Sequence, residues 1–161
     1  MIQRLKKLSQ FLFKIPGGHW ITSRLIGLAV PYSGSIGADV MEMADGSATM
    51  SLRDCRKVRN LLNSIHAVAL ANLGELTANL AILTLCPEHG RFIVTRMDTE
   101  YLKKGRGRLL CTCSIPTDLP WSTVERTAAT AVITDASGEV VSRVTVYWKL
   151  GLKRSQSQNP S

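Results

Sequence analysis

The chain has 161 residues and a net charge of +8, and its 45% hydrophobic and 20% charged residues are the proportions of an ordinary globular protein. This length suits one domain with a core of its own, and the positive charge favours anionic partners. Because the basic residues form separate clusters and the aromatic residues show no stacking pattern, we expect no nucleic-acid partner.

The first 34 residues predict a helical extension. Two short helices, at 2–14 and about 19–29, are separated by Pro16-Gly17-Gly18, and Pro31 and Gly34 close the segment. The basic, amphipathic first helix is expected to pack on the domain rather than on a membrane. It lacks the unbroken apolar core of a signal peptide, and no stretch of the chain is expected to reach the length of a membrane span. We therefore expect no stable membrane insertion.

Strands and one long apolar helix are predicted in the rest of the chain. Residues 36–43 alternate in polarity, the turn Asp45-Gly46 follows, and 47–53 forms the return strand. A polar, basic loop over 54–65 precedes a helix over about 66–85, which Cys86-Pro87 ends. The remaining strands are predicted over 91–101, 108–115, 127–135 and 139–150.

This element order predicts the α+β class, with an antiparallel sheet wrapped around a long central helix and with extra N-terminal helices. The helix is apolar on almost every side, and one sheet cannot cover all of it. We therefore expect a second copy of the chain to cover the rest. The predicted division is a helical extension over 1–34, the main domain over 35–151 and a disordered tail over 152–161.

The four cysteines are Cys55, Cys86, Cys111 and Cys113. Their spacing is not that of a zinc site, and no histidine lies at the matching distance in sequence. Cys111 and Cys113 are two residues apart on a predicted strand, so both should point to the same face. We expect reduced thiols, no bound metal and a cytoplasmic protein.

A single carboxylate, Glu75, lies within the apolar helix. An ionised carboxylate inside a protein is costly unless it is paired, hydrogen-bonded or functional. At about 100° per residue, Val68, Asn72, Glu75 and Asn79 fall on one stripe, so an asparagine lies one turn away on each side of the carboxylate. These amides are placed to hydrogen-bond and orient it. The alternative is a purely structural stripe, in which the side chains bond each other or a partner helix.

The spacing of Asn60, His66 and Glu75 resembles a known motif. Hot-dog-fold acyl-CoA thioesterases of the phenylacetate-degradation type carry Asn, five residues, His-Gly-Gly, six residues, and then Asp or Glu. The resemblance covers about 36–150 and includes the strand order around the helix. It implies a hot-dog fold in which Glu75 is the catalytic carboxylate, as general base or nucleophile, His66 begins the helix, and Asn60 is the loop asparagine.

Ala67 and Val68 replace the two glycines of the motif, which let backbone N–H groups approach the thioester carbonyl. Valine narrows that approach. A helix that begins near His66 leaves its first amides unpaired, so the N–H of Ala67 or Val68 is placed to hold a developing oxyanion. Two alternatives stay open: His66 as an ordinary helix cap, and Asn63 in the loop role in place of Asn60.

The turn Lys103-Lys104-Gly105-Arg106-Gly107-Arg108 suits the phosphates of coenzyme A, because cations and glycine amides both attract phosphate. The alternative is a solvated hairpin turn. On the preceding strand, Arg96, Asp98 and Glu100 are expected to form a solvated or interfacial row of charges.

We expect a homodimer or homotetramer that hydrolyses an acyl-CoA thioester to the free acid and coenzyme A. Glu75 of one protomer would act near the helix start of the other. Coenzyme A enters as part of the substrate, and no cofactor is expected. The alternative is a non-catalytic acyl or acyl-CoA binding protein of the same fold. A dehydratase of this fold is less favoured, because the Pro-Gly that precedes the helix in those enzymes is absent.

Overall fold

The computed structural model describes residues 17–121 and 126–152, so the predicted helix at 2–14 and the tail beyond 152 lie outside the described residues. Within these ranges lie three α-helices, α1 (Gly18–Ala29), α2 (Pro31–Gly34) and α3 (Ala67–Leu85), and one turn of 3-10 helix at Arg56–Val58. The strands are β1 (Asp39–Ala44), β2 (Ser47–Leu52), β3 (Gly90–Tyr101), β4 (Leu109–Ser114), β5 (Arg126–Thr134) and β6 (Val140–Leu152). They form one antiparallel sheet in the order β1-β2-β4-β5-β6-β3. The predicted α+β architecture is confirmed.

The β1–β2 hairpin forms at the predicted turn. Asp45 and Gly46 both have positive φ angles, of 45° and 82°, as a tight turn between antiparallel strands requires. The predicted strand from 36 begins later, at Asp39. Gly37 has a φ of 68°, a left-handed conformation that an extended strand cannot include, so the chain straightens only after it.

Helix α3 lies against the inner face of the sheet. Leu73, Ala78 and Ile82 are fully buried there, and Trp148 and Val144 of β6 are equally buried on the facing side. At Gly74 a side chain would collide with the sheet, because an added Cβ would lie 2.3 Å from Val144 Cγ2. The glycine therefore sets how closely the helix approaches β6.

The expectation about membrane-span length was wrong for α3. The helix has 19 residues and is apolar enough to cross a membrane by length and composition, but 72% of its most apolar window is buried in the fold. The sequence criterion failed because a core helix covered by a sheet needs the same composition as a spanning helix. Burial under the sheet makes this the core helix of a globular domain.

The N-terminal helices pack on the edge of this core. Thr22 and Ile26 of α1 are buried, and Ser23 Oγ accepts a hydrogen bond of 2.7 Å from the Val40 N–H of β1. Within α2, the Ser33 carbonyl accepts a bond of 3.4 Å from Asn72 Nδ2 of α3. The extension is thus joined to both layers of the domain.

All four cysteines lie within the described residues, and no disulfide joins any two of them. Cys111 and Cys113 are both buried on the inner face of β4, which confirms the predicted shared face. Burial raises the pKa of Cys111 to about 12 and that of Cys113 to about 11, so neither is a nucleophile at neutral pH.

Candidate active site

The start of α3 presents one free backbone amide. His66 is the cap residue, and its Nδ1 accepts a hydrogen bond of 3.1 Å from the Val68 N–H. Because Nδ1 is the acceptor in this bond, Nε2 is the ring nitrogen that can donate. The Ala67 N–H has no hydrogen-bond partner within 17–121 and 126–152. Of the two predicted oxyanion donors, Val68 is thus occupied by the cap and Ala67 is available.

Asn60 holds the loop that leads into the helix. Its Oδ1 accepts from the Leu62 N–H at 2.9 Å and from both the N–H and the hydroxyl of Ser64, at 3.3 and 3.1 Å. Asn63 is exposed, with a φ of 54°, and no side-chain bond of this kind involves it in the described chain. Asn60, and not Asn63, therefore makes the side-chain hydrogen bonds within this loop.

Asp54 joins this loop to the basic turn. Its carboxylate accepts from Arg59 Nε at 2.6 Å and from the Gly107 N–H at 3.0 Å. The Arg59 hydrogen bond, followed by the Gly107 bond, holds the Asp54 pKa below its ordinary value against the opposing effect of burial. A backbone bond of 2.8 Å from Ile65 to Gly105 makes a second connection. The basic turn therefore lies beside the start of α3.

The cations of that turn differ in their surroundings. Lys103 forms ion pairs with Asp135, at 2.6 Å, and with Glu139. The Lys103 hydrogen bond also holds the Asp135 pKa well below its usual range. Lys104 and Arg106 are exposed and form no ion pair with any residue of 17–121 or 126–152, whereas Arg108 Nη1 donates a long bond, 3.5 Å, to Ser51 Oγ.

A chain of three side chains orients Glu75. The indole N–H of the fully buried Trp148 donates to Asn79 Oδ1 at 2.8 Å, and Asn79 Nδ2 donates to Glu75 Oε1 at 3.3 Å. Asn72, one turn earlier, points elsewhere and donates to the Ser33 carbonyl. Only one of the two flanking asparagines therefore contacts the carboxylate, which is half-buried.

Asn72 carries an unsatisfied acceptor. Its side chain is buried, and Oδ1 has no hydrogen-bond partner in the described part of the chain. Buried polar atoms in proteins are almost always paired, so this acceptor is an exception. Asn72 borders a cleft of about 260 Å³ at the start of α3, which His66, Val68 and Lys57 also line.

Lys57 was not singled out from sequence, although it lies in the basic cluster of the loop before the helix. It is exposed and has no ion pair within the described ranges, whereas the neighbouring Arg59 is bound to Asp54. Only the fold shows that Lys57 faces the cleft at the helix start.

Glu75 and the free amide of the same chain are too far apart to act together. Eight residues of helix separate Glu75 from Ala67, which is about 12 Å along the axis. A water molecule attacking a carbonyl bound at Ala67 would be out of reach of Glu75 in that chain. Glu75 also does not border the 260 Å³ cleft. A site that uses both groups needs the helix start of another chain.

A family model described as a domain of unknown function, DUF4442, matches residues 18–150. The chain belongs to this family. The match starts at the first described helix and ends in the last strand, so it includes all the candidate site residues of the DUF4442 chain. No curated protein sequence matches it significantly.

Solved structures share the fold at low sequence identity. Protein PA5026 from Pseudomonas aeruginosa has 18% identity and a TM-score of 0.75, over 86% of this chain and 97% of its own. A thioesterase family protein from Silicibacter pomeroyi has 15% identity and a TM-score of 0.67, over 81% and 96%. Thioesterase HI1161 from Haemophilus influenzae has 10% identity and a TM-score of 0.66, over 79% and 87%. The predicted hot-dog fold of the DUF4442 chain is confirmed.

Proposed function

We propose that this protein hydrolyses an acyl-CoA thioester to the free acid and coenzyme A. The observation that carries the proposal is that the 19-residue helix α3 has two suitable groups. They are an oriented carboxylate, Glu75, and an unpaired backbone amide at the helix start, the Ala67 N–H. The thioesterases of the same fold from Silicibacter pomeroyi and Haemophilus influenzae support it.

The proposed reaction begins with the thioester carbonyl oxygen at the Ala67 N–H, where the positive end of the α3 dipole stabilises negative charge. The Nε2–H of His66 is a second donor at that end of the helix. Glu75 takes a proton from a water molecule as the water oxygen attacks the carbonyl carbon. Collapse of the tetrahedral intermediate breaks the carbon–sulfur bond, and the proton passes from Glu75 to the departing thiolate. Direct attack by Glu75, followed by hydrolysis of the anhydride, is the variant of this route.

We propose a homodimer or homotetramer. Glu75 and the Ala67 N–H of one chain are too far apart to act on the same carbonyl group, so the two groups must come from different protomers. The outer strand β3 offers an edge for such contact. It has 12 residues, pairs only with β6 among the described strands, and exposes Ile93 and Met97. An exposed apolar edge strand is a ready site for pairing with another chain.

Coenzyme A would bind with its phosphates at the basic turn beside the helix start. We assign this contact to the segment from Lys103 to Arg108, in which Lys104 and Arg106 are the unpaired cations and Lys103 holds the turn through its ion pairs. The proposed chemistry uses only side chains and amides of the protein, so we propose no separate cofactor. Four cysteines with no disulfide between them support a cytoplasmic location.

The test is release of free thiol from a panel of acyl-CoAs that differ in chain length and branching. Glu75→Gln is expected to abolish turnover, whereas Glu88→Gln, in an exposed turn away from the site, should have no effect. Ala67→Pro removes the free N–H at the first helical position, where proline is tolerated, and should lower kcat by about 10²–10³-fold. Full activity in Glu75→Gln would refute the mechanism.

The second candidate is binding of an acyl-CoA without hydrolysis. Val68 raises this alternative, because it is 55% exposed at the helix start, where the motif of the resembling thioesterases has glycine. The same panel distinguishes the two functions. Thermal stabilisation by acyl-CoA without thiol release would assign the protein as a binder.

A further inference from the structure

Exposed apolar side chains are concentrated on the N-terminal helices. Five of the fifteen exposed large hydrophobic residues within 17–121 and 126–152 lie between positions 20 and 32. Leu28 is 77% exposed, Tyr32 75% and Trp20 56%, with Ile21 and Val30 beside them. Large apolar side chains that are exposed together in one short segment often mark an interaction site. We call these five residues the outer face.

The exposed side chains of α1 lie on one side of that helix. Trp20, Arg24 and Leu28 follow one another at intervals of four residues, so they lie on the same side of the helix. The Arg24 guanidinium lies 5.3 Å from the centre of the Trp20 ring. The opposite side, with Thr22 and Ile26, is buried against the domain. The helix therefore has a second apolar side, which is exposed and on which Arg24 is the cation.

The charge of this part of the chain restricts the partner. Residues 1–38 contain five Lys and Arg and no Asp or Glu, and the first acidic residue is Asp39. This segment alone supplies +5 of the net charge of +8. Anionic lipid surfaces attract clustered Lys and Arg, and Trp and Tyr are the side chains that favour the boundary between headgroups and acyl chains.

A cleft lies beside α1. It has a volume of about 350 Å³, and its lining combines apolar side chains, among them Ile26 and Leu76, with the charged pair of Arg53 and Asp39. Leu28, on the outer face, belongs to its lining too. The outer face therefore adjoins an opening that has both apolar and charged groups.

We propose that the outer face of α1 and α2 docks on an anionic lipid bilayer, with its apolar and aromatic side chains at the headgroup level. This is peripheral binding through a short amphipathic helix, and the central helix α3 stays in the domain core. The proposal does not depend on thioester hydrolysis.

The test uses the full chain and vesicles of phosphatidylcholine, pure or mixed with an equal part of phosphatidylglycerol. Flotation should recover protein with the mixed vesicles and not with the pure ones, and added salt should reduce that fraction. The double variant Trp20→Ala/Leu28→Ala is expected to lower the partition constant by about tenfold or more, because two exposed apolar side chains are lost. Leu110→Ala, at an exposed apolar position of β4, is the matched control and should bind like the parent chain.

Tyr32→Ser is a second, single variant on the same face, and thermal unfolding of each variant checks that it folds. Unchanged binding of folded outer-face variants would overturn the proposal. So would a binding loss shared by Leu110→Ala. A change of oligomeric state in the double variant would instead make the outer face a contact between copies of the chain. Loss of binding only on deletion of residues 1–16 would place the lipid contact in that segment.

Discussion

Two asparagines of the same helical stripe are expected to lose different amounts of stability on the same substitution. Asn79 Oδ1 accepts a hydrogen bond of 2.8 Å from the indole N–H of Trp148, a fully buried side chain. Asn79→Leu removes this acceptor. A buried donor left without a partner costs about 1–3 kcal/mol. Asn72→Leu removes an acceptor, Oδ1, that has no partner, and it also removes the long bond of 3.4 Å that Nδ2 donates to the Ser33 carbonyl. The free energy of unfolding should therefore decrease by about 1 kcal/mol or less.

Leucine has the same number and branching of heavy atoms as asparagine, so the pair compares hydrogen bonding at nearly equal shape. Urea unfolding followed by tryptophan emission gives both free energies, and an unchanged m value would show that the denatured state is the same. In thermal unfolding the Asn79 loss corresponds to about 2–12 °C for a chain of this length. An equal or larger loss for Asn72→Leu would refute the assignment of the two side chains.

Three further outcomes follow from the packing and the charges. Gly74→Ala should lower the free energy of unfolding by about 1–3 kcal/mol in chemical denaturation, because its Cβ would overlap the buried Val144; an unchanged stability would contradict this packing. The pKa values of Asp54 and Asp135 lie below the ordinary 3.8. Their contribution to the free energy of unfolding should therefore be constant above pH 3.8 and should decrease as the pH drops below it. A free energy of unfolding that stays constant into acid would contradict the lowered pKa values. A thiol reagent should modify Cys55 at once and the three buried cysteines only on unfolding, and a second fast thiol in the native protein would contradict their burial.

Local sequence signals were sufficient for the elements that depend on neighbouring residues. The Asp45-Gly46 pair has the φ angles of the predicted tight turn, and the strands on either side differ from their predicted bounds by only a few residues. The helix predicted over about 66–85 is α3, with His66 as its cap. These features follow from backbone preferences and polarity within a few positions, so no knowledge of the tertiary fold was needed.

Contacts between distant segments were not predictable in the same way. Asn72 was expected to flank the carboxylate, but its amide reaches the Ser33 carbonyl, 39 residues earlier in the chain. Lys103 was assigned to phosphate together with its neighbours, and the fold brings Asp135 and Glu139 to it from the turn between β5 and β6, the strand that pairs with β3. Such pairings depend on which strands become neighbours, which the spacing of residues along the chain does not encode.

The most direct test of a site shared between protomers mixes two inactive variants. Glu75→Gln removes the carboxylate, and Ala67→Pro removes the free amide while His66, with φ −64° and ψ 139°, already has the extended conformation that precedes proline. After subunit exchange, each mixed dimer contains one site with both groups intact, so an equal mixture should recover about a quarter of the parent thiol-release rate. A mixture that exchanges subunits and stays as inactive as either variant alone would contradict a site built from two chains.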